Sequence, residues 1–545
     1  MIILCWFSFD GLFAQEITLK IIATNTNESE ILNEIDYVKN HKDSISLYAE
    51  IYKISDYLKN IGYFTHTIDS IKNSSTNYIG YFSLSDKIEH AIIKVDSNSE
   101  IYFEDLKLKD NFVTIPIEAL QNRLSTISKR LDTEGKSFSK VQLKDISIKG
   151  KILYGNLKIL LSKKRIINKI IIKDYEDFPK SYLKNYFNIS SLTVFNQQKI
   201  KEISLASKSL QFIKEIKAPE VLFTKDSTLL YLYLKKQQNN SFDGIVNFTT
   251  KENGDLLFNG NINLKLNNIL NTGEKFELFW NSIGEERQEF KVSTNIPYIF
   301  NSKFSPEISF SIYKQDSTFL NTKFDSKLFY NINPKTKLAI TYTSESSENL
   351  IANINNNIET FSNSFLGFQF QYNIAKNDYF FNDKFNLEIN PSIGKRTTNN
   401  NTLNQFKIEA STSYIWDVSL RSSIFFKNET GYLNSDSFIE NELFRIGGAN
   451  SIRGFNEQSI FTNNYTYFNV EFRYLTSEKS YLYTITDIGR ADINSKNNNL
   501  LGVGLGYLFS TKNSQINIGL VLGNVNSNQT SISDTKFIIN WTNFF

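Results

Sequence analysis

From Phe242 to Phe545 the sequence repeats segments of roughly ten residues in which apolar and polar side chains alternate, separated by Asn, Ser, Gly and Asp turns. A period of two belongs to an extended strand whose side chains point alternately to opposite faces. KFELFW, QEFKVST, SFLGFQFQYNI, FKIEASTSYIW, YTYFNVEFRYL and LLGVGLGYLF show it most clearly. Between Tyr467 and Leu475, Phe468, Val470, Phe472 and Tyr474 share one face, and Asn469, Glu471 and Arg473 share the other. A soluble sandwich also alternates, but its apolar face is packed rather than ringed with Phe, Tyr and Trp, and it seldom needs so long a chain. Such strands predict a transmembrane barrel, apolar towards lipid and polar within. Eleven segments precede Asn434 and five follow Phe461, and a total of about 16 strands is even, as single-chain bacterial barrels require. The terminal KFIINWTNFF puts Phe537, Ile539, Trp541 and Phe545 on one face, as a closing strand needs.

Composition agrees. Hydrophobic residues are 41% of the chain even with 28 Tyr included, too few for a polytopic helical membrane protein. Aromatic residues reach 14% while Pro numbers 7, which favours long, uninterrupted strands. One Cys excludes an intramolecular disulfide and a thiolate cage. The three histidines, His41, His66 and His90, are scattered through the first half and read as surface or edge residues. Sixty basic and 57 acidic side chains give +3, without the field that would steer a chain onto nucleic acid. No GxSxG elbow, HExxH pair or P-loop is present. GVGLG at 502–506 has no helix after it, and its glycines fall on the inward face of a strand. They read as lumen packing. No enzyme activity, cofactor or metal is expected.

Residues 1–14 form a short apolar run ending in Ala14, which reads as a secretory signal peptide. No basic residue precedes the run and Asp10 interrupts it, so the start codon is expected to lie upstream. Lipidation at Cys5 is rejected because Leu4 precedes it. The next stretch passes three times through a β-α-α-β-β order, giving modules at 16–87, 88–163 and 164–238 before a barrel at 242–545. In the first, ITLKII is a strand, and Leu47, Ile51, Ile54, Tyr57, Leu58 and Ile61 recur at helical spacing on one face up to Gly62. In the second, a helix from Pro116 to Glu134 stops at Gly135; in the third, helices lie around 179–187 and 196–210. Each module is an α+β unit with sheet edges open to another strand. Such an edge takes up an extended polypeptide through backbone hydrogen bonds. From this half alone, client-binding modules and plain spacers are equally open.

Between the eleventh and twelfth segments lies the non-alternating NELFRIGGANSIRGFNEQSIF. RIGGANSIRGF, with Gly447, Gly448 and the tetrapeptide Ile452-Arg453-Gly454-Phe455, closely resembles the signature loop of the BamA/TamA-type barrel-assembly and translocation superfamily, which includes the two-partner-secretion transporters. FDGIVNF with NNILNTGEKFELFW resembles its opening strands, YLYTITDIGRAD its strand carrying an aspartate and glycine pair, and the three modules its periplasmic POTRA domains. The resemblance covers nearly the whole chain after the signal. It implies that the loop folds into the lumen and that Arg453 pairs with Glu471 and Asp487. Strand parity places Glu471 on the polar face, whereas YTITD alternates poorly and leaves Asp487 less clearly assigned. Gly447, Gly448 and Gly454 would allow the tight turns. The chain departs from many relatives in lacking a glycine in the final strand; Asn540 is the candidate replacement, and lateral opening by such a kink does not follow here.

The resemblance further implies a Gram-negative outer-membrane protein whose periplasmic modules receive unfolded outer-membrane or secreted clients. Its partners would be those clients, outer-membrane lipid, and a periplasm-spanning or lipoprotein component. Three modules favour insertion of other outer-membrane proteins. The alternatives are export of one dedicated substrate by two-partner secretion, although no plug helix precedes the modules, and a passive channel.

Overall fold

The computed structural model describes residues 17–545 except 238, 251–255, 284–286, 352–356, 377, 494–495 and 527–534. The expected signal peptide lies outside the described residues. Two compact units are present, one of residues up to 166 with 194–198, the other of 167–193 with 199–545.

The first unit holds two four-stranded sheets. In one, Ile17–Ala23 runs parallel to Asn77–Ser83, flanked by Asn40–His41 and Thr67–Ser74. The helix Ser44–Asn60 presents Leu47, Ile51, Ile54 and Leu58 to this sheet, and all four are buried. Tyr57, expected on the same face, is exposed, because it falls one position before Leu58 and so about a hundred degrees round the helix from it. Asp43 caps it by accepting the Ser46 amide at 2.7 Å, and Gly62, at φ +108°, lets the chain leave it. The second sheet has the order Phe112–Pro116, His90–Lys94, Ile152–Leu160, Lys140–Lys149. Its helix Ile117–Thr133 buries Ile117, Leu120, Ile127 and Leu131. Here the expected β-α-α-β-β order fails, because a strand replaces the first helix. Residues 97–111 lack a helical apolar period, and Val113 and Ile115 instead alternate into the core. The third module follows the expected order, with strand Lys169–Lys173, helices Lys180–Asn185 and Gln197–Ser209, and strands Ile213–Phe223 and Thr228–Lys236.

Sixteen antiparallel strands, each paired with its sequence neighbour, form a closed barrel. Eleven run from Ser241–Thr250 to Ser422–Asn434, and five from Asn464–Ser477 to Lys536–Phe544, the division read from the sequence. Leu366, Ile393, Leu505 and Ile539 lie on the outward face and are each at least 57% exposed, a band of apolar surface that only lipid would cover. Phe537, Trp541 and Phe545 join it. The final strand pairs with its predecessor over eight residues without a register break, Asn540 lying opposite Asn517. Its pairing with the first strand is far shorter, consisting of Ser241 with Phe544 and Phe242 with Asn543.

The third module is fastened to the barrel rim by aromatic rings. Tyr182 meets Tyr298, in the turn between the fourth and fifth strands, edge to face at 5.0 Å, and packs against Phe178 and Phe212. Tyr175 donates to Asn271 at 2.9 Å and accepts from Asn268 at 2.8 Å. Gly273, at φ +78°, is required because a Cβ there would overlap the Tyr182 ring. Tyr182→Ala should cost about 3–5 kcal/mol. Hydrogen exchange should show lost protection at Phe187 and Ile189 with barrel amides unchanged. Burial also pushes the Tyr186 phenol up to about 12. The unfolded chain loses this proton near pH 10 while the folded one keeps it, so the module's stability should fall as pH rises from about 10 to 12. Tyr186→Phe should remove that part of the fall in a pH series of thermal midpoints.

Candidate functional site

The strand walls place polar side chains inside, and together they bound a cavity of about 560 Å³. Opposite signs are interleaved along the wall. Lys323 lies 3.3 Å from Asp325, Lys327 3.3 Å from Glu307, and Lys427 2.6 Å from Glu429.

Residues 435–463, between the eleventh and twelfth strands, fold into this interior. A short hairpin, Phe444–Ile446 against Ile460–Thr462, carries the tip. There Arg453 donates from its backbone amide and from Nε to Asp487 Oδ2, both at 2.8 Å, from Nη2 to Asp487 Oδ1 at 2.6 Å, and from Nη1 to Glu471 Oε1 at 2.5 Å. Glu471 Oε2 accepts from Arg473 Nε at 2.7 Å, and the Arg473 guanidinium stacks on Phe425 at 4.0 Å and Phe381 at 4.4 Å. Asp487, Arg453, Glu471 and Arg473 thus form a ladder of alternating charge, with Asp487 wholly buried and Arg453 8% exposed. Each carboxylate oxygen accepts a donor, which is what offsets the desolvation of four ions.

Apolar packing and glycine fix the ladder's position. Ile452 is fully buried with Ile446, Ile460, Tyr467, Ala491 and Leu500, and Phe455 packs beside them. Gly454, at φ +95°, lies flat on the fifteenth strand, where a Cβ would come within 2.7 Å of Gly523. A Cβ on Gly502 would meet the Arg453 carbonyl oxygen at 2.2 Å. Gly447 and Gly448 have φ +108° and +106°, conformations that a side chain would strain. The structure therefore brings Gly447, Gly448, Ile452, Arg453, Gly454, Phe455, Glu471 and Asp487 together, while Phe537, Ile539, Trp541 and Phe545 lie apart on the outer wall.

The loop also reaches strands four to seven, nine and ten, through residues that sequence reasoning missed. Glu442 pairs with Arg396 and accepts from Gln405 at 2.8 Å. Asn441 accepts from Asn321 at its carbonyl and donates to Ser347, each at 2.7 Å. Arg287 donates to the Glu457 carbonyl at 2.5 Å, Gln458 to Glu289 at 2.9 Å, and Arg445 stacks on Tyr313 at 3.7 Å. Inward strand parity would have placed Arg287, Asn321, Arg396 and Gln405 in the bore, but no period in 435–463 marks their partners.

Residues 246–509 match the family of haemolysin secretion/activation proteins ShlB/FhaC/HecB. Among solved structures, CdiB from Acinetobacter baumannii is similar at 14% identity over 92% of this chain and 97% of that one, with a TM-score of 0.53. CdiB from Escherichia coli is similar at 14% identity over the same shares, with a TM-score of 0.51. BamA from Haemophilus ducreyi lacking POTRA domains 1–3 gives 13% identity over 83% of this chain and 99% of that one, with a TM-score of 0.46. No curated protein sequence matches the chain. At these identities the structural likeness is one of fold.

Arg453→Ala would leave two buried carboxylates facing each other and should cost about 3–5 kcal/mol. Arg453→Lys should recover less than half, lacking the planar fork. Thermal midpoints across a double-mutant cycle with Asp487→Asn test the pairing, and additive effects would mean the two groups are not coupled.

Proposed function

We propose, from the premise that this chain is an outer-membrane barrel of the BamA/TamA-type assembly and translocation superfamily, that it exports a polypeptide through its own bore. The three modules, placed in the periplasm, take up the unfolded client at their sheet edges, and the barrel conducts it outward. The observation that carries this reading is a polar, charge-lined interior crossed by a loop of the same chain. A polar interior is common to transmembrane barrels, and here it offers the polar partners that an extended peptide backbone needs along its route. The likeness of the barrel to haemolysin secretion/activation proteins supports the same reading.

No chemistry drives the movement. Folding of the client outside, and the burial that accompanies it, supplies a one-way pull.

A second reading, insertion of other barrel proteins into the membrane, is favoured by the short pairing of the first and last strands and by the three modules. The two readings make different proteins disappear. Depletion of the chain followed by inventories of the culture medium and the outer membrane should remove one secreted polypeptide and leave the barrel proteins at their normal levels. Broad loss of barrel proteins would instead establish insertion. An unchanged inventory with altered solute uptake would reduce the protein to a passive channel.

A further inference from the structure

The loop's contacts fall into two sets that differ in kind. On one side are its covalent attachments to the eleventh and twelfth strands and the ladder at Arg453 on the twelfth and thirteenth. On that side Arg453 binds through its backbone amide, Nε and both Nη atoms, and Gly454 lies against the Gly523 backbone. On the other side are contacts to strands four to seven, nine and ten. The central one, Arg396 with Glu442, is a desolvated ion pair whose side chains are 3% and 1% exposed. This second set is the less satisfied one: Arg396 Nε, Gln405 Oε1, Arg287 Nε and Nη2, Arg445 Nη1 and Gln458 Oε1 are buried without a hydrogen-bond partner among the described residues, against Arg473 Nη1 alone in the ladder. A buried pair with orphaned polar atoms contributes little net stability, because admitting water satisfies those atoms at the moment the pair separates.

We propose that the loop is a flap hinged at Arg453 and latched at Arg396 and Glu442, so that the bore opens by release of the loop from strands six, seven, nine and ten while the Arg453 ladder stays intact. This rests on the export reading for its purpose but not for its mechanics. Ten residues separate Glu442 from Arg453, and at about 3.3 Å each they span on the order of 33 Å when extended. The Glu442 end is therefore long enough to leave strands nine and ten. Folding it back onto strands eleven to fifteen would clear the side of the bore where the wall is polar and charged. Asn441, held by Asn321 and Ser347, belongs to the latch and would move with Glu442.

The test uses the full-length chain in planar lipid bilayers with KCl as the current carrier. Arg396→Gln combined with Glu442→Gln should raise the open fraction at least tenfold while the thermal midpoint of the barrel stays within a few degrees of the parent. The charge-swapped pair, Arg396→Glu with Glu442→Arg, should return the channel towards the closed state, an outcome that mere loosening of the fold would not give. Arg453→Ala should lower the midpoint and give irregular currents without a discrete open level. Parental conductance in the Arg396/Glu442 double variant would overturn the proposal. So would a discrete, full opening in Arg453→Ala with an unshifted midpoint. If the double variant opens as expected but depletion removes no secreted protein, the export reading fails and the hinge stands.

Discussion

A backbone in hydrocarbon has no water to satisfy its amides, so every strand of a membrane sheet must find a neighbour on both sides. That requirement turns sixteen alternating segments into a cylinder, and most other features of the molecule derive from it. The alternation fixes which side chains face lipid. The closure creates an interior, and the interior must then be filled or left wet. Here it is divided. The walls built from the early strands carry Lys, Glu, Asp, Thr and Ser around a cavity of about 560 Å³, while strands twelve to fifteen are packed against the chain's own loop.

The packed side depends on glycine as much as on charge. A guanidinium can make two-pronged bonds to a carboxylate only if its backbone comes close to the strand that bears it. Gly502 and Gly523 remove the side chains that would hold Arg453 and Gly454 off the wall. The same exchange of side chain for proximity recurs at the rim, where Gly273 gives way to the Tyr182 ring. In both places a loop or module is held by the barrel because a wall position carries no side chain.

The strand half was legible because lipid imposes one rule on every outward residue. Where a strand faced an apolar cluster inside the barrel rather than water, the rule weakened. Tyr481, Tyr483 and Ile485 point inward yet are apolar, since they meet an apolar cluster with Leu508 and Val521. For that reason YTITD alternates poorly, and the placement of Asp487 had to come from resemblance. Resemblance also supplied Arg453, but it was silent on Glu442 and Asn441, whose partners on strands six, seven, nine and ten are 37 to 120 residues away along the chain. The second module misled for a different reason. A β-α-α-β-β template filled a polar stretch with a helix, although Val113 and Ile115 already carried the strand signature.

The interleaving of signs on the bore wall has its own physical consequence. When each cation stands beside an anion, as Lys323 does beside Asp325, the field of the pair dies away over a few ångströms and recruits no standing cloud of counterions. A polymer threading such a wall would meet neither a long-range attraction that holds it nor a repulsion that turns it back. Friction would be local and brief at every residue, whether the passing side chain were acidic, basic or neutral.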